Sequence, residues 1–121
     1  MPASEQATTR RRRLRVDGSY VDLHYREGVK FHLQLHDVSG SGIGFPLPHD
    51  VEPLSPGTQL ACVLALEGHR IPGKLEVARD ERSRRSRLCG ARFHADERFR
   101  RRFDNLMTEL ELSESSRPAN I

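Results

Sequence analysis

The chain has 121 residues, of which 36% are hydrophobic and 31% charged, and its formal net charge is +3. This length suits one domain with a single core and is too short for two. No stretch approaches the roughly 18 apolar residues of a membrane-spanning helix, and no apolar run follows the N-terminal charges as in a secretory signal. We therefore expect a cytoplasmic protein without membrane insertion, in which Cys62 and Cys89 are buried free thiols.

The positive charge is concentrated in two segments. Residues 1–15 contain five arginines and one glutamate, and residues 79–87 contain five arginines, one aspartate and one glutamate. Two basic clusters on a nearly balanced chain predict that an anionic ligand or surface is recognised at these places. Arginine, which greatly outnumbers lysine here, suits forked recognition of phosphates and of guanine edges.

The N-terminal third predicts a disordered tail followed by a β-hairpin. Residues 1–9 are small and polar, which indicates disorder. From residue 20 onwards, apolar and polar residues alternate with a period of two, as in strands that bury one face. Glu27-Gly28 indicates the turn between the two strands. The apolar positions of this hairpin are Val21, Leu23, Tyr25, Val29, Phe31, Leu33 and Leu35.

The remainder predicts further strands and one helix. SGSGIG and the proline-rich segment 46–57 indicate loops, and residues 58–67 a strand. The next strand contains Pro72-Gly73, which is typical of an edge or a bulge. Arg79 ends this strand in phase with its apolar residues, and we expect residues 79–87 to be a solvated basic loop before a final strand at 88–93. Apolar residues at helical spacing from Phe99 to Leu110 predict a helix over about 95–112, laid across an open end of a barrel, before a flexible tail at 113–121.

These elements together predict an all-β dominated fold with one helix. The number of short antiparallel strands, separated by glycine and proline turns, favours a six-stranded antiparallel β-barrel with a C-terminal α-helix.

Two short motifs stand at a fixed separation on this strand pattern. Arg11 and Arg15 fit RxxxR, and Asp37, Ser39 and Gly42 fit DxSxxG, with one strand, a turn and a second strand between the motifs. With this order and spacing, residues 10–112 resemble a PilZ domain. The resemblance implies a receptor for cyclic di-GMP in which Arg11 and Arg15 clamp guanine and phosphate, while Asp37, Ser39 and Gly42 form a platform. Arg12 and Arg79 are further candidate contacts.

The chemistry of this ligand is compatible with these residue types. Guanine presents O6 and N7 as paired acceptors, which a guanidinium can bind bidentately. Its N1–H and N2–H donors suit a carboxylate such as Asp37. Because the arginine clamp lies on a segment predicted to be disordered, we expect ligand binding to order it and to change the surface offered to a downstream protein partner.

Alternative functions are less well supported by the residues. A basic barrel that binds RNA or DNA usually exposes aromatic side chains for stacking, and here most aromatic residues fall on apolar faces. A PilZ-type adaptor without nucleotide binding would not need both motifs. One bound ligand or an intercalated pair is compatible with the surplus arginines, and the oligomeric state stays open.

We predict no enzyme, no cofactor and no metal site. His36, Asp37 and Ser39 are not a triad, because neighbours on a strand point to opposite faces. His32 and His36 would be about 13 Å apart along a strand, too far to bind one ion.

Overall fold

A computed structural model describes residues 18–39 and 42–116. Within these residues the chain forms one seven-stranded antiparallel sheet, with strand order β2-β1-β5-β6-β7-β4-β3, followed by a short 3-10 turn and a helix. The strands and the helix are β1 (Tyr20–Arg26), β2 (Val29–Gln34), β3 (Asp37–Ser39), β4 (Gly42–Pro46), β5 (Gln59–Leu66), β6 (His69–Arg82), β7 (Arg87–Ala95) and α1 (Arg100–Ser116).

The predicted β-dominated fold with one C-terminal helix is confirmed, but the sheet is a curled half-barrel with seven strands, so the predicted count of six and the predicted closure were wrong. The sequence analysis missed β4, whose glycines and proline had indicated a loop, and it did not separate β3 from β2. Ile43 and Phe45 nevertheless alternate with glycines and are 3% and 0% exposed, so their burial pulls the segment into the sheet between β3 and β7. The edge strands β2 and β3 are not paired with each other.

The hairpin predicted at the N-terminal end is confirmed, with Tyr20 opposite Gln34 and Leu23 opposite Phe31. Leu35 and His36 connect β2 to β3, and the backbone N–H of each makes a hydrogen bond. Leu35 N–H donates to the Ser19 carbonyl at 3.0 Å, and His36 N–H donates to the Gly44 carbonyl at 2.8 Å. The start of β3 is therefore held at a defined position relative to β4.

The core lies on one face of the curled sheet, and α1 packs against it beside β7. Phe103, Leu106 and Met107 are buried, and the ring of Phe103 packs edge-on against Phe93 at 5.1 Å between centroids. The predicted apolar stripe is thus confirmed as core. Cys62 and Cys89 are free thiols buried in the same core, and burial raises the pKa of each to about 12. Neither thiol is therefore ionised near neutral pH.

Helix α1 begins with three consecutive arginines at 100–102, directly after the 3-10 turn that contains Glu97. Cations at a helix N-terminus oppose the helix dipole, and Glu97 offsets this in part. The apolar contacts of α1 with the sheet therefore stabilise it more than its charges do.

Strand β6 lies inside the sheet, between β5 and β7, so Pro72 does not mark an edge. Pro72 pairs with Val63, and its carbonyl accepts a hydrogen bond from Asp96 N–H at 2.9 Å. A Cβ on Gly73 would lie 2.3 Å from the His94 carbonyl oxygen, so only glycine permits this close approach of two backbones. The bulge of this strand lies further on, between Val77 and Arg79.

A buried ion pair joins β6, β7 and the proline-rich loop. The side chain of Arg87 is 0% exposed and donates to Asp80 from Nε at 2.9 Å and from Nη2 at 2.6 Å. Arg87 also donates to the carbonyls of Pro48, Val51 and Glu52, and Asp80 accepts from Leu54 N–H at 2.9 Å. The pair therefore supplies polar partners to loop 47–58.

The predicted solvated loop at 79–87 is accordingly wrong in its extent and in its chemistry. Residues 79–82 continue β6 and Arg87 begins β7, which leaves only residues 83–86 as the turn. Arg87 belongs to the interior because its five donors meet a carboxylate and three carbonyl groups there.

We predict that Asp80→Asn destabilises the fold by about 3–5 kcal/mol, because it leaves the buried Arg87 charge without its counter-ion. The matched control is Glu81→Gln, which removes an exposed partner of Arg79 and should cost less than about 1 kcal/mol. Urea unfolding of the two variants at pH 7 measures both values. Similar small losses in both variants would contradict the assigned role of the pair.

Stability should also fall in acid for the same reason. Hydrogen bonds from Arg87 hold the pKa of Asp80 below its ordinary value despite the opposing effect of burial. A carboxyl whose pKa is lowered by folding stabilises the protein above its unfolded pKa of about 4, and that contribution is lost as the pH falls further. Urea unfolding at pH 3, 4 and 6 should show that the difference in the free energy of unfolding between the wild type and Asp80→Asn becomes smaller below about pH 4. A gap that is constant with pH would contradict this.

Candidate functional site

The β3–β4 hairpin places the DxSxxG residues on the outward face of the sheet. Asp37 is opposite Gly44 and Ser39 is opposite Gly42, while the intervening Val38 points into the core. The Ser39 hydroxyl lies 3.5 Å from the Gly42 carbonyl oxygen, to which it donates. The motif thus places its carboxylate and its hydroxyl on the same face of the sheet.

A row of four residues crosses four adjacent strands at this hairpin. Gly44 on β4 is opposite Gly90 on β7, and Gly90 is opposite Arg79 on β6. Since neighbouring strands are about 4.8 Å apart, the row from Asp37 to Arg79 spans about 14 Å. An acidic and a basic side chain therefore flank two residues without side chains.

The two glycines provide the space into which the flanking side chains fold. A Cβ on Gly44 would lie 3.0 Å from Asp37 Oδ1. A Cβ on Gly90 would lie 3.3 Å from Arg79 Nε and 3.4 Å from its Cγ. Asp37 thus lies over Gly44 and Arg79 over Gly90, so the row carries a hydrogen-bond acceptor at one end and a hydrogen-bond donor at the other. We call these four residues the glycine row.

Arg79 reaches this surface because of the β-bulge. Its sequence phase with Ile71, Leu75 and Val77 predicted that it ends the strand on the apolar face, and this was wrong. The extra residue after Val77 brings Arg79 opposite Gly90 with a side chain that is 54% exposed. The same shift turns Asp80 inwards, towards Arg87. A bulge commonly re-aims a side chain in this way.

A second row lies beside the first and contains a residue that the sequence analysis missed. A Cβ on Gly42 would lie 3.9 Å from Arg92 Cα and only 2.6 Å from the Ala91 carbonyl oxygen. Arg92 is exposed and is opposite Glu76. Its position two residues after Gly90 could have identified it, because residues two apart on a strand share a face.

Each charged end of the glycine row has a polar side chain of its own beside it. Asp37 Oδ2 lies 3.0 Å from His36 Nδ1, and Arg79 Nε lies 3.5 Å from Glu81 Oε2. The assumption that His36 and Asp37 point to opposite faces was wrong, because His36 lies at the bend between β2 and β3 and outside both strands.

The described residues thus bring together four of the predicted site residues, which are Asp37, Ser39, Gly42 and Arg79. The other three, Arg11, Arg12 and Arg15, lie outside the described residues, as do the predicted disorder at 1–9 and most of the tail.

A separate polar cluster occupies the outward face of β1, β2 and β6. Asp22 contacts His32 Nδ1 at 2.7 Å and Arg70 Nη2 at 3.5 Å, and the Tyr20 ring stacks on His32 at 4.0 Å. In the part of the chain that the structure covers, no three His, Cys, Asp or Glu side chains are grouped as a metal site. Within the same part, no helix has the length and apolar character needed to cross a membrane.

Comparison of the sequence with protein families gives a match to the PilZ domain over residues 9–109. The chain belongs to the PilZ domain family, a family of cyclic di-GMP receptors. A search of curated protein sequences finds no match.

Solved structures with the same fold are PilZ-domain proteins. The Klebsiella pneumoniae protein MrkH in its apo state has a TM-score of 0.69 at 20% identity, over 86% of this chain and 51% of that one. The Bacillus subtilis inhibitor of motility MotI/DgrA has a TM-score of 0.65 at 18% identity, over 86% and 52%. The chain thus spans about half the length of these two proteins.

A third structure, the PilZ domain of Escherichia coli YcgR with cyclic di-GMP, has a TM-score of 0.60 at 16% identity, over 87% of this chain and 92% of that one. At these identities the likeness concerns the fold.

We predict that alanine has different effects at Gly42 and Gly44. At Gly42 a Cβ meets the Ala91 backbone, so we expect a loss of about 1–3 kcal/mol. At Gly44 it meets only the Asp37 carboxylate, which can turn away, so the loss should stay below about 1 kcal/mol while the His36 ring signals shift. Urea unfolding and NMR measure these effects. Equal destabilisation, or unmoved His36 signals in Gly44→Ala, would contradict the geometry.

Proposed function

We propose that this chain binds cyclic di-GMP over the glycine row and transmits the signal to a protein partner. The observation that carries the proposal is the row itself, in which Asp37 and Arg79 lie beside Gly44 and Gly90 on the outward face of the sheet. Membership of a receptor family, and a structural neighbour solved with this ligand, support the same function.

The chemistry of guanine suits the two ends of the row. The Asp37 carboxylate can accept from guanine N1–H and N2–H, and the guanidinium of Arg79 can donate to guanine O6 and N7 or to a phosphate. The absence of side chains at Gly44 and Gly90 leaves the room in which the Asp37 carboxylate and the Arg79 guanidinium lie against the sheet, from where both can contact a bound base. Arg92 provides a further positive charge in the adjacent row.

The N-terminal arginines complete this proposal. Arg11, Arg12 and Arg15 would close over the ligand from the side opposite the sheet, as the RxxxR motif implies. Two phosphates and two guanines offer more acceptor groups than Arg79 and Arg92 can satisfy, so further cations are expected. Ordering this segment on binding would change the surface available to a partner, at some cost in affinity. In this proposal the chain is a cytoplasmic receptor without catalytic activity.

We predict that the full chain binds cyclic di-GMP in isothermal titration calorimetry, and that it binds GTP and cyclic GMP much more weakly. Asp37→Ala and Arg15→Ala should abolish detectable binding, and Arg79→Ala should weaken it roughly tenfold, because each removes a charge-assisted hydrogen bond. Matched controls are Asp22→Ala and Arg70→Ala, which alter the separate cluster on β1 and β6 and should bind as the wild type does.

Two outcomes would reject the proposal. Wild-type protein that gives no heat with cyclic di-GMP would leave the chain as an adaptor without nucleotide binding. Affinity that is unchanged in both Asp37→Ala and Arg15→Ala would reject the site. In NMR, the amide signals of residues 10–15 should shift on ligand addition; signals that stay sharp and random-coil at saturation would reject the arginine clamp.

A further inference from the structure

His36 is the one titratable side chain that contacts the Asp37 carboxylate among the described residues. Its Nδ1 lies 3.0 Å from Asp37 Oδ2. Both carboxylate oxygens also lie close to the position that a Cβ on Gly44 would take, Oδ1 at 3.0 Å and Oδ2 at 3.4 Å. The carboxylate that we place against the ligand is therefore in direct contact with the imidazole.

The backbone holds this arrangement in place. His36 N–H donates to the Gly44 carbonyl at 2.8 Å, and the next residue, Asp37, begins the β3–β4 ladder opposite the same glycine. The ring itself is 62% exposed, whereas the Asp37 side chain is only 18% exposed. The His36 ring is therefore accessible to solvent, whereas the carboxylate that it contacts is largely buried.

We propose that His36 is a positioning residue for Asp37 and makes cyclic di-GMP affinity depend on pH. This inference rests on the proposed function. An ionised carboxylate can only accept, so the proton between the two groups belongs to His36 Nδ1, and the hydrogen bond that it donates holds the carboxylate beside Gly44. Histidine is also the side chain whose charge ordinarily changes between pH 5 and 8.

The sign of the pH effect follows from the charges around the site. The ligand is a dianion, and with neutral His36 its nearest fixed charge on β3 is the negative Asp37. Protonation of His36 neutralises that charge while Oδ1 stays available to guanine, so affinity should increase as the pH falls. The other charged or titratable groups near the surface are Arg79 and Glu81 on β6, Glu76 beside them, and Arg92 and His94 on β7, of which His94 contacts Glu76 at 3.4 Å and not Asp37.

The histidine on the neighbouring strand offers a matched control. His32 contacts Asp22 at 2.7 Å and is 67% exposed, so it forms a similar imidazole–carboxylate pair. It belongs to the separate cluster on β1 and β2, outside the glycine row. A general effect of histidine charge on a dianionic ligand would act through both residues, whereas a positioning role belongs to His36 alone.

The experiment is calorimetric titration of the full chain with cyclic di-GMP at pH 6, 7 and 8 and constant ionic strength. We expect wild-type affinity to be about three- to fivefold tighter at pH 6 than at pH 8. His36→Gln keeps a donor but not the charge, so it should bind at pH 8 as the wild type does and lose the pH dependence. His36→Lys should bind at pH 8 nearly as tightly as the wild type at pH 6, and His32→Gln should keep the wild-type profile.

The outcomes separate this inference from the function on which it rests. Binding that is equally tight at all three pH values, or a pH dependence that persists in His36→Gln, overturns the role of His36 and leaves the receptor function standing. Wild-type protein that binds at no pH overturns both.

Discussion

The register of β3, β4, β7 and β6 is the constraint on which the candidate site depends. It sets Asp37, Gly44, Gly90 and Arg79 in one row although they come from four separate strands. A slip of one residue in any of these pairings would turn a side chain of the row into the core and expose an apolar one. Val38, Ile43 and Ala91 lie between the members of the two rows and point into the core. Their burial therefore fixes the register of the strands that carry the site.

The buried ion pair between Asp80 and Arg87 also restrains the end of the row that carries Arg79. Asp80 follows Arg79 directly and is held inside by Arg87, so the backbone at the end of β6 has little freedom to rotate. Pairing of Val77 with Gly57 and Thr58, at 2.8 Å in both directions, fixes the strand on the other side of the bulge. The outward position of Arg79 is thus determined by contacts made on the opposite face of the sheet.

The sequence predicted those parts of the fold in which one physical signal dominates. Alternation identified the first hairpin, helical spacing identified α1, and the compact DxSxxG motif kept Asp37 and Ser39 together. The sequence did not predict the strand at Gly42–Pro46, because two inward residues outweigh the poor strand propensity of the glycines and proline around them.

The directions of the Arg79, Arg87 and His36 side chains were predicted wrongly for a related reason. A bulge inverts the face of every residue that follows it, and a single arginine in a charged run can be buried if carbonyl groups meet it there. A histidine at a bend is likewise released from strand alternation. Each of these depends on contacts between residues that are distant in sequence or on a local break in regular structure.

The dependence of α1 on its contact with the sheet limits how this helix can take part in signalling. Most of the stability of a helix in a protein comes from tertiary packing, and the three arginines at the start of this one oppose the helix dipole. Contact of Phe103 with Phe93 compensates for this. If the segment leaves the sheet it should therefore melt, so a change at this end of the domain would reach a partner as a transition from order to disorder and not as the swing of a rigid lever.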